Sequence, residues 1–438
     1  MKVHFIAIGG SAMHNLAIAL HRKGYEVTGS DDEIAEPSLG RLRREGLLPK
    51  ATGWFQERIH SGLDAVILGM HARADNPELL RAIELNLPVY SYPEYLYEQA
   101  KNKRRVVIGG SHGKTTITSM ILHVLRFAGL DHDYMVGAQL EGFDCMVKLS
   151  EAPVAVYEGD EYLSSPTDRR PKFHLYRPHI ALISGIAWDH INVFPTKEDY
   201  FRQFSAFIEV VEPGGTVIYN VDDPEVNRLR IESLRGDLQW IPYGTHAHRI
   251  EEGHVVLEPG NWPVQVFGSH NMQNLMGAKE VCHALGIGEE DFYRAMASFK
   301  GASRRLELVK QEGTHSVYRD FAHSPSKLRA TVRAVREKNP DYHLTAVLEL
   351  HTFSSLTKAY LAEYRGCMEG ADRAMVYYSP ATIAHKRLEP ISEADVIAAF
   401  GFTGLEVYTD ASAMELALAN VPKEKSNLLL MSSGRLGG

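Results

Sequence analysis

The chain has 438 residues, which at about 150 residues per domain predicts about three domains. With 44% hydrophobic and 23% charged residues, its composition is typical of globular proteins and excludes a disordered or fibrous chain. The 47 lysines and arginines against 55 aspartates and glutamates give a net charge of −8, so no overall positive field attracts nucleic acid or acidic lipid.

The three cysteines, Cys145, Cys282 and Cys367, are far apart and odd in number, which excludes a disulfide scaffold or a cysteine-based zinc site. Such sparse cysteines are typical of a reducing compartment. The apolar N-terminal run is broken by Gly9 and Gly10, and no small-residue cleavage site follows it. No apolar stretch reaches the roughly 18–20 residues of a membrane span. We therefore expect a cytoplasmic protein of undetermined oligomeric state, with no membrane or nucleic-acid partner.

Short apolar, β-branched runs alternate with helical patterns along the chain, which is typical of parallel α/β sheets. The predicted strands are residues 3–8, 65–68, 106–108, 154–157, 180–184, 216–219, 345–350, 375–378 and 428–431. The basic stretch 101–105 and a change of pattern at 298–303 predict two linkers. They divide the chain into three segments of normal domain size, 1–100, 101–299 and 300–438.

A weak phosphate-binding pattern opens the chain. Gly9, Gly10 and Ser11 follow the first predicted strand and precede a helix, and Asp31 ends the next strand about twenty residues later. The pattern resembles the dinucleotide-binding fingerprint, in which the acid binds a ribose hydroxyl, but the third glycine is missing. It predicts a Rossmann-like domain for a phosphate-bearing ligand other than NAD, and a domain that only packs remains the alternative.

The most informative stretch is residues 106–116, where a strand runs into a glycine-rich turn, then Gly-Lys-Thr, then a helix. In such a turn, backbone N–H groups converge on phosphate, Lys114 reaches the β- and γ-phosphates, and Thr115 can ligate Mg²⁺. The strict motif has glycine where this chain has Ile108, and Gly129 is the predicted end of the helix. Nucleotide binding, rather than a bare turn, is predicted for Gly110, Ser111, His112, Gly113, Lys114, Thr115 and Thr116.

Two later strands are followed by side chains that can bind a metal. Glu158 follows the strand 154–157, and His190 comes shortly after the strand 180–184. A carboxylate at the carboxyl end of a strand beside a P-loop strand can bind the Mg²⁺ of a nucleotide. We therefore predict a metal site of Thr115, Glu158 and His190, and a histidine without a ligand role is the alternative for His190.

Polar residues in the remaining loops leave two interpretations open. Asn271 and Asn274 open a helix, where their amides either cap the helix or bind an adenine edge. Arg304, Asp320 and His323 combine a cation, an acid and an imidazole in loops. That combination is compatible with an exposed charge cluster and equally with a ligand site.

In this order and spacing, the motifs resemble those of the Mur ligase family, the ATP-dependent amide-forming enzymes of bacterial peptidoglycan assembly, over essentially the whole chain. Residues 168–178 are similar to the branch of the family that adds a preformed tripeptide. The resemblance implies an α/β fold of three domains. These are a Rossmann-like N-terminal domain that binds a UDP-sugar, a central P-loop ATPase domain with a mostly parallel sheet, and a Rossmann-like C-terminal domain that contacts nucleotide and peptide.

The resemblance also implies a reaction that needs ATP and Mg²⁺. ATP phosphorylates the carboxylate of UDP-N-acetylmuramate, and the amine of L-Ala-γ-D-Glu-meso-diaminopimelate attacks the acyl phosphate, as a step of peptidoglycan recycling. The implied catalytic residues are Lys114, Glu158, His190 and His323. The implied ATP-binding residues are 110–116 with Asn271, Asn274, Arg304 and Asp320. The implied UDP-sugar-binding residues are Gly9, Gly10, Ser11, Ser30 and Asp31, and the implied peptide-binding residues are His323 and His351.

Two departures from the family pattern bear on these expectations. His351 stands where the family has proline and arginine, and an imidazole lacks the bidentate fork of a guanidinium, which leaves the preferred third peptide residue open. The chain ends at Gly437 and Gly438, where relatives continue into a last helix, so we expect a truncated C-terminus.

Two other functions stay open at this point. The first is the L-alanine-adding ligase of the same family. The second is an NAD-dependent oxidoreductase, which Gly9, Gly10 and Asp31 suggest but which leaves the P-loop without a role.

Overall fold

The computed structural model describes residues 1–70, 72–138, 142–251, 253–434 and 436. Within these residues, an N-terminal, a central and a C-terminal part each contain a sheet that is wholly or mostly parallel, which confirms the predicted α/β fold class. Gly437 and Gly438, where truncation is expected, lie outside the described residues. None of the described helices has the length and apolarity needed to cross a bilayer.

The N-terminal part is a parallel sheet covered by helices. Its elements are β1 (Lys2–Ile6), α1 (Ser11–Arg22), β2 (Glu26–Ser30), α2 (Ser38–Arg44), β3 (Ala65–Leu68), α3 (Pro77–Glu84), β4 (Val89–Ser91) and α4 (Tyr92–Ala100). The strand order is β2-β1-β3-β4. β1 ends two residues earlier than predicted, because Ala7 has a φ of +68°, which strand geometry excludes.

Side-chain caps in the sequence explain where two of these helices begin. Asn76 precedes Pro77 and accepts hydrogen bonds from the N–H groups of Glu78 and Leu79 at the start of α3. At the start of α4, Ser91 and the glutamate three residues later form a reciprocal capping box.

The central part has a seven-stranded sheet and a small antiparallel sheet. Its strands are β5 (Arg104–Gly109), β6 (His132–Met135), β7 (Val147–Lys148), β8 (Val154–Glu158), β9 (Ile180–Ile183), β10 (Thr216–Asn220), β11 (Gln239–Tyr243), β12 (His248–Glu251), β13 (His254–Leu257) and β14 (Trp262–Val264). Its helices are α5 (Lys114–Phe127), α6 (Lys197–Glu209), α7 (Pro224–Glu232), α8 (Ser269–Ala284) and α9 (Glu289–Ala297). The large sheet has the order β11-β10-β9-β5-β8-β6-β7, in which β7 pairs antiparallel with β6. The P-loop strand β5 thus lies between β9 and β8.

The linker predicted at residues 101–105 is shorter than expected, because β5 already begins at Arg104. Arg105 is almost fully buried. Its guanidinium donates to a Glu212 carboxylate oxygen at 2.7 Å and to the carbonyl oxygens of Tyr176 and Ala100 at 3.0 and 3.1 Å. These acceptors compensate a charge that burial would otherwise make unfavourable.

The C-terminal part is a six-stranded sheet. Its strands are β15 (Glu307–Glu312), β16 (His315–Asp320), β17 (His343–Leu350), β18 (Arg373–Tyr378), β19 (Glu406–Tyr408) and β20 (Ser426–Met431). Its helices are α10 (Pro325–Lys338), α11 (Lys358–Leu361), α12 (Pro380–His385), α13 (Glu393–Phe400) and α14 (Ala411–Ala419). The order is β15-β16-β20-β17-β18-β19, with β15 antiparallel to β16. The last strand therefore lies between β16 and β17, and the loops after these three strands share one edge.

Two apolar clusters join the three parts. One contains Ile117 of α5 and Leu275 of α8 together with Leu348 of the C-terminal sheet. The other contains Phe5 of the N-terminal sheet together with Tyr157 of the central sheet. All five side chains are fully buried, so apolar packing is continuous from one part of the chain to the next.

A buried polar cluster connects the strands and loops of the N-terminal part. Glu78 accepts hydrogen bonds from the Ser30 hydroxyl at 2.6 Å and the Phe55 N–H at 2.8 Å, and His4 Nε2 lies 3.3 Å from it. Arg58 in turn donates to the Ser30 hydroxyl at 2.8 Å. Burial disfavours the charge of Glu78, but the hydrogen bonds from His4, Phe55 and Ser30 outweigh burial and hold the pKa of Glu78 below its ordinary value.

Replacing Glu78 by glutamine is expected to lower the free energy of unfolding by about 1–3 kcal/mol at pH 7, because hydrogen bonds to a buried charged group are lost. The lowered pKa means that the stability from Glu78 is present above its unfolded pKa and is lost as the pH falls through the folded pKa. The difference between variant and wild type should therefore shrink below about pH 4.5. Calorimetry at pH 7 and pH 4 measures it, with the exposed Glu84→Gln on the same helix as control. An equal difference at both pH values would contradict the prediction.

Candidate functional site

The turn between β5 and α5 has the backbone geometry of a phosphate-binding loop. Gly110 and Gly113 both have positive φ, +126° and +79°. A side chain on Gly110 would overlap Ser184, and one on Gly113 would overlap the Asn274 amide. Glycine is therefore required at both positions, and the N–H groups at the start of α5 face the cleft without a side-chain cap.

Lys114 is anchored at this turn by two oxygen atoms. Its ammonium donates to the Gly110 carbonyl at 2.6 Å and to a Glu161 carboxylate oxygen at 2.7 Å. The Tyr200 hydroxyl donates to the other oxygen of Glu161 at 2.9 Å, and His190 Nε2 lies 3.6 Å from that oxygen. The loops after β5, β8 and β9 and the helix α6 therefore meet at one carboxylate.

This cluster shifts the pKa values of Glu161, Lys114 and His190 toward the charged form. Burial raises the pKa of Glu161, but Lys114 and then His190 outweigh burial and hold that pKa well below its ordinary value. Burial likewise lowers the pKa values of Lys114 and His190, and Glu161 more than restores both. The cluster is thus an ionised network inside the protein.

Thr115 and Glu158 form a second contact beside Lys114. The Thr115 hydroxyl donates to Glu158 Oε1 at 2.8 Å, and the Gly137 N–H donates to Glu158 Oε2 at 2.8 Å. Arg305 Nη2 of the C-terminal part donates to the Thr115 hydroxyl at 3.3 Å. A hydroxyl and a carboxylate side by side at the P-loop are donors that Mg²⁺ takes when phosphates and waters complete its coordination.

The predicted metal residues are brought together only in part. Thr115 and Glu158 are in contact, whereas His190 lies against Glu161 instead. Among the residues that the structure describes, no three His, Cys, Asp or Glu side chains converge as a complete metal site. Thr115 and Glu158 nevertheless fit a Mg²⁺ bound with a nucleotide, since such an ion uses one or two protein carboxylates.

A first cavity of about 290 Å³ lies between the central and C-terminal parts. The predicted ATP-binding residues on its wall are Ser111, His112, Gly113, Lys114, Thr115, Thr116, Asn271, Asn274 and Asp320, and the predicted metal residue Glu158 lies there too. Gly110 and Arg304 are not on this wall, while Arg305 and Lys327, to which the sequence analysis assigned no role, are.

The two asparagines of α8 do not cap their helix. Its N-cap, Gly268, has no side-chain cap, so the capping interpretation is wrong. Asn271 instead donates to the Phe267 carbonyl at 2.9 Å, and Asn274 donates to the Asn271 side-chain oxygen at 3.3 Å. The amides are thereby held on the wall of the first cavity.

Asp320 enters the same cavity at the end of β16. The Ala322 N–H donates to its carboxylate at 2.6 Å. Burial raises the pKa of Asp320 to about 6, although Arg305 and backbone N–H groups act in the opposite direction. Arg305 itself stacks on the Phe321 ring at 4.5 Å, so both groups are positioned by the C-terminal part.

A second cavity, of about 580 Å³, lies where all three parts meet. Its wall includes Ser11 and Asn15 of α1, Lys172 of the central part and Arg304 of the C-terminal part. The two cavities share wall residues, namely Lys114, Thr115, Glu158, Arg305 and Phe321. They therefore adjoin at the P-loop lysine.

The predicted UDP-sugar residues divide into two groups. Ser11 lies on the wall of the second cavity, and the nearby Gly9 N–H donates to Asp31 Oδ2 at 2.7 Å. Ser30 is fully buried and donates to Glu78, so its hydroxyl belongs to the polar cluster of the N-terminal part.

The two predicted peptide-binding histidines follow strands β16 and β17 of the C-terminal sheet but line neither cavity. His323 Nδ1 lies 2.8 Å from the Phe321 carbonyl, and burial followed by the nearby Lys327 lowers the pKa of His323 to about 3. His351 Nδ1 lies 3.8 Å from Glu349. β20 separates the strands that precede them.

The sequence analysis assigned no separate role to Glu161, Lys172 or Tyr200. Glu161 belongs to the acidic run after β8, and Lys172 lies in the stretch 168–178, so both stood in informative segments. Lys172 donates to Asp160 at 2.5 Å on the wall of the second cavity. The sequence does not determine which acidic residue of the run 158–161 pairs with which lysine, because the pairing depends on three-dimensional packing. Tyr200 lies inside α6, and no motif in the sequence marks it as a site residue.

Comparisons with known proteins bear on this arrangement. The Mur ligase family catalytic domain matches residues 2–104, the Mur ligase middle domain residues 108–282, and the Mur ligase glutamate ligase domain residues 304–434. A UDP-N-acetylmuramate–L-alanine ligase of Arthrobacter sp. is 32% identical over 86% of this chain and 80% of its own length. A UDP-N-acetylmuramate–L-alanyl-γ-D-glutamyl-meso-2,6-diaminoheptandioate ligase of Haemophilus influenzae is 28% identical over 100% and 97%.

Solved structures share the fold. A murein peptide ligase from Psychrobacter arcticus has a TM-score of 0.66 at 20% identity and covers 100% of this chain and 97% of its own. A UDP-N-acetylmuramate–alanine ligase from Thermotoga maritima has a TM-score of 0.70 at 19% identity, with coverage of 100% and 96%. The three-part architecture is therefore common to both.

The Glu161→Gln variant tests the anchoring of Lys114. Without the Glu161 carboxylate, the largest contribution that opposes burial is lost, so the pKa of Lys114 is expected to fall and its amine to react faster with acetic anhydride at pH 8–9. Mass spectrometry of the labelled chain measures the rate. Lys148, paired with Asp131 on the surface, is the internal control and should keep its rate. Unchanged labelling of Lys114 would show that Glu161 does not determine its charge.

Proposed function

Because this chain belongs to the Mur ligase family, whose members are ATP-dependent amide-bond ligases, we propose a specific reaction for it. The protein joins the carboxylate of UDP-N-acetylmuramate to the free amine of the peptide L-Ala-γ-D-Glu-meso-diaminopimelate. The family makes the chain an ATP-dependent ligase that forms C–N bonds. The sugar nucleotide, the peptide and the residue roles are the proposal.

One observation carries this proposal: the two cavities adjoin at Lys114, Thr115 and Glu158. A nucleotide in the first cavity has its phosphates at the start of α5, where N–H groups and Lys114 point. A UDP-sugar in the second cavity reaches from α1 to the same lysine. The two substrates thus meet where a phosphoryl group must pass between them.

The residues on the wall suit the chemistry of that transfer. A carboxylate is a poor electrophile until it is phosphorylated, and an anionic carboxylate must approach an anionic triphosphate. Neutralising this charge is the main catalytic demand. Lys114 and Arg305 supply positive charge, and Thr115 and Glu158 would hold a Mg²⁺ that supplies further positive charge to the phosphates, with His190 nearby.

The remaining roles follow the positions of the side chains. Asn271 and Asn274 would bind the adenine edge and Asp320 the ribose, since all three line the first cavity. Ser11, with Gly9, Gly10 and Asp31 behind it, would bind the diphosphate of the sugar nucleotide. Ser30 is not part of this set, because its hydroxyl already donates to Glu78.

The amine substrate is proposed to enter from the C-terminal sheet. His323 and His351 follow β16 and β17, and the loop after β20 lies between them. Since the walls of both cavities come from more than one part of the chain, closure of the parts would precede chemistry and protect the acyl phosphate from water.

The peptide is proposed over free L-alanine because residues 168–178 resemble the peptide-adding branch of the family. Coverage does not separate the two, since the peptide-adding relative of Haemophilus influenzae matches 100% of this chain and 97% of itself, and an L-alanine-adding relative of Streptomyces griseus matches 99% and 94%. L-alanine is the second candidate, because two relatives that add L-alanine are 32% and 30% identical to this chain, whereas the peptide-adding relative is 28% identical. His351, at the carboxyl end of β17, is the residue whose replacement by arginine would test the preference for the third peptide residue.

The proposal is tested by incubating the protein with ATP, Mg²⁺, UDP-N-acetylmuramate and a panel of amines, and by following phosphate release and product mass. We expect turnover with the tripeptide and much less with L-alanine. The Lys114→Met variant, which removes the charge at the junction of the cavities, should lower turnover by about 10²-fold or more. Faster turnover with free alanine would replace the proposal with the second candidate, and no amide with any amine would refute it.

Glu158→Gln is expected to raise the Mg²⁺ concentration needed for half-maximal turnover by about tenfold or more, because the hydroxyl-carboxylate pair loses its charge. A Mg²⁺ titration of turnover measures this. Glu151→Gln, an exposed glutamate before β8, is the control and should leave the titration unchanged. An unaltered titration in Glu158→Gln would remove this residue from the metal site.

A further inference from the structure

The N-terminal turn of α10 forms part of the wall of the first cavity. Ser326, Lys327, Ala330 and Thr331 of this helix line the cavity opposite the P-loop. The helix begins at Pro325, its N-cap residue Ser324 provides no side-chain cap, and its first backbone hydrogen bond runs from the Leu328 N–H to the Ser324 carbonyl. The cavity therefore faces a helix N-terminus from the C-terminal part as well as one from the central part.

Lys327 is a cation without a partner in this wall. Among the described residues, no carboxylate oxygen lies within 4.0 Å of its ammonium and no hydrogen bond holds it, in contrast to Lys114 with its two acceptors. Other cations of α10 are paired: Arg333 with Glu337 at 2.5 Å and Arg336 with an aspartate at 2.5 Å.

The surroundings of Lys327 leave its charge incompletely compensated. Burial disfavours the ammonium most, Asp189 and Glu161 favour it, and Lys114 and Arg305 oppose it. The balance lowers the pKa of Lys327 below its ordinary value. A half-buried cation of this kind is stabilised by an anion that enters the cavity, and the cavity offers space for one.

We infer that Lys327 is a phosphate-binding residue, which contacts the terminal phosphoryl group of ATP from the C-terminal part. This inference rests on the proposed function, because it assumes that the first cavity binds ATP. Lys327 lines the same cavity as the P-loop lysine Lys114, and the charged groups that act on Lys327 include Lys114 itself and its ion-pair partner Glu161. They therefore place it at the phosphate end of the cavity.

The contact links closure of the protein to charge neutralisation. Lys114 belongs to the central part, whereas Lys327 and Arg305 belong to the C-terminal part. A terminal phosphate held between them is bound by cations on both sides of the cleft. ADP lacks that phosphate and so lacks the bridge, which favours opening after transfer.

Isothermal titration of the full chain with Mg²⁺ and either the ATP analogue AMP-PNP or ADP tests this contact. Lys327→Gln should weaken AMP-PNP binding by about tenfold or more and ADP binding by less than about threefold, since one charge-assisted phosphate contact is lost. Lys327→Arg should restore most of the AMP-PNP affinity. Arg333→Gln, a cation on the outer face of the same helix, is the control and should change neither affinity.

Thermal unfolding without nucleotide separates this role from a structural one. Lys327→Gln should unfold at the same or a higher temperature than wild type, because an uncompensated charge is removed from the cleft. A lower unfolding temperature, or equal weakening of AMP-PNP and ADP, would overturn the inference. So would an unchanged AMP-PNP affinity.

The same titrations distinguish failure of this inference from failure of the proposed function. They need neither the sugar nucleotide nor an amine. If wild type binds AMP-PNP and Lys327→Gln loses it selectively, the inference stands even when the amine panel yields no amide. If the amine panel yields the amide and Lys327→Gln weakens AMP-PNP and ADP binding equally, the proposed reaction stands and the inference about Lys327 is overturned.

Discussion

The buried ion pair between Lys114 and Glu161 is the interaction on which the candidate site depends. A lysine removed from water costs several kcal/mol unless a carboxylate compensates it, and Glu161 does so at 2.7 Å. The same carboxylate accepts a hydrogen bond from the Tyr200 hydroxyl and lies near His190. The interactions of this one carboxylate therefore connect three loops and a helix. The P-loop lysine is therefore oriented before a nucleotide binds, and less ordering is left for the binding step.

Sheet topology explains why these groups meet. β5 lies between β9 and β8, and parallel strands place their carboxyl ends at one edge, which is where ligands of open α/β sheets bind. Lys114 follows β5, Glu158 is the last residue of β8, and His190 follows β9. The other two sheets then add walls to the cavities, with Ser11 from the N-terminal part and Arg304, Arg305 and Lys327 from the C-terminal part. A site divided in this way is complete only when the parts are held together.

The comparison of expectation and structure shows where local patterns are sufficient. The P-loop was predictable because its glycines, lysine and helix are consecutive, and strand 65–68 was predicted with the bounds that the structure has. Arg104 and Arg105 were assigned to a linker because a pair of basic residues is usually exposed to solvent, but they begin β5. Arg105 is buried there because Glu212, far away in sequence, compensates its charge. Ser30 is a second example. The family resemblance implies a ligand contact for it at the end of β2, but its hydroxyl donates to Glu78, a residue far away in sequence.

The sequence by itself determined the fold class, the order of the three parts and the phosphate-binding turn, since these depend on periodicity and on residues adjacent in the chain. The tertiary structure alone decided which carboxylate pairs with Lys114, that Asn271 binds a carbonyl instead of capping α8, and that Lys327 faces the cleft without a counter-ion. The outcomes at Lys114 and Lys327 depend on charge balance between groups tens to hundreds of residues apart. In a low-dielectric interior such balance is set by distances that no local pattern contains.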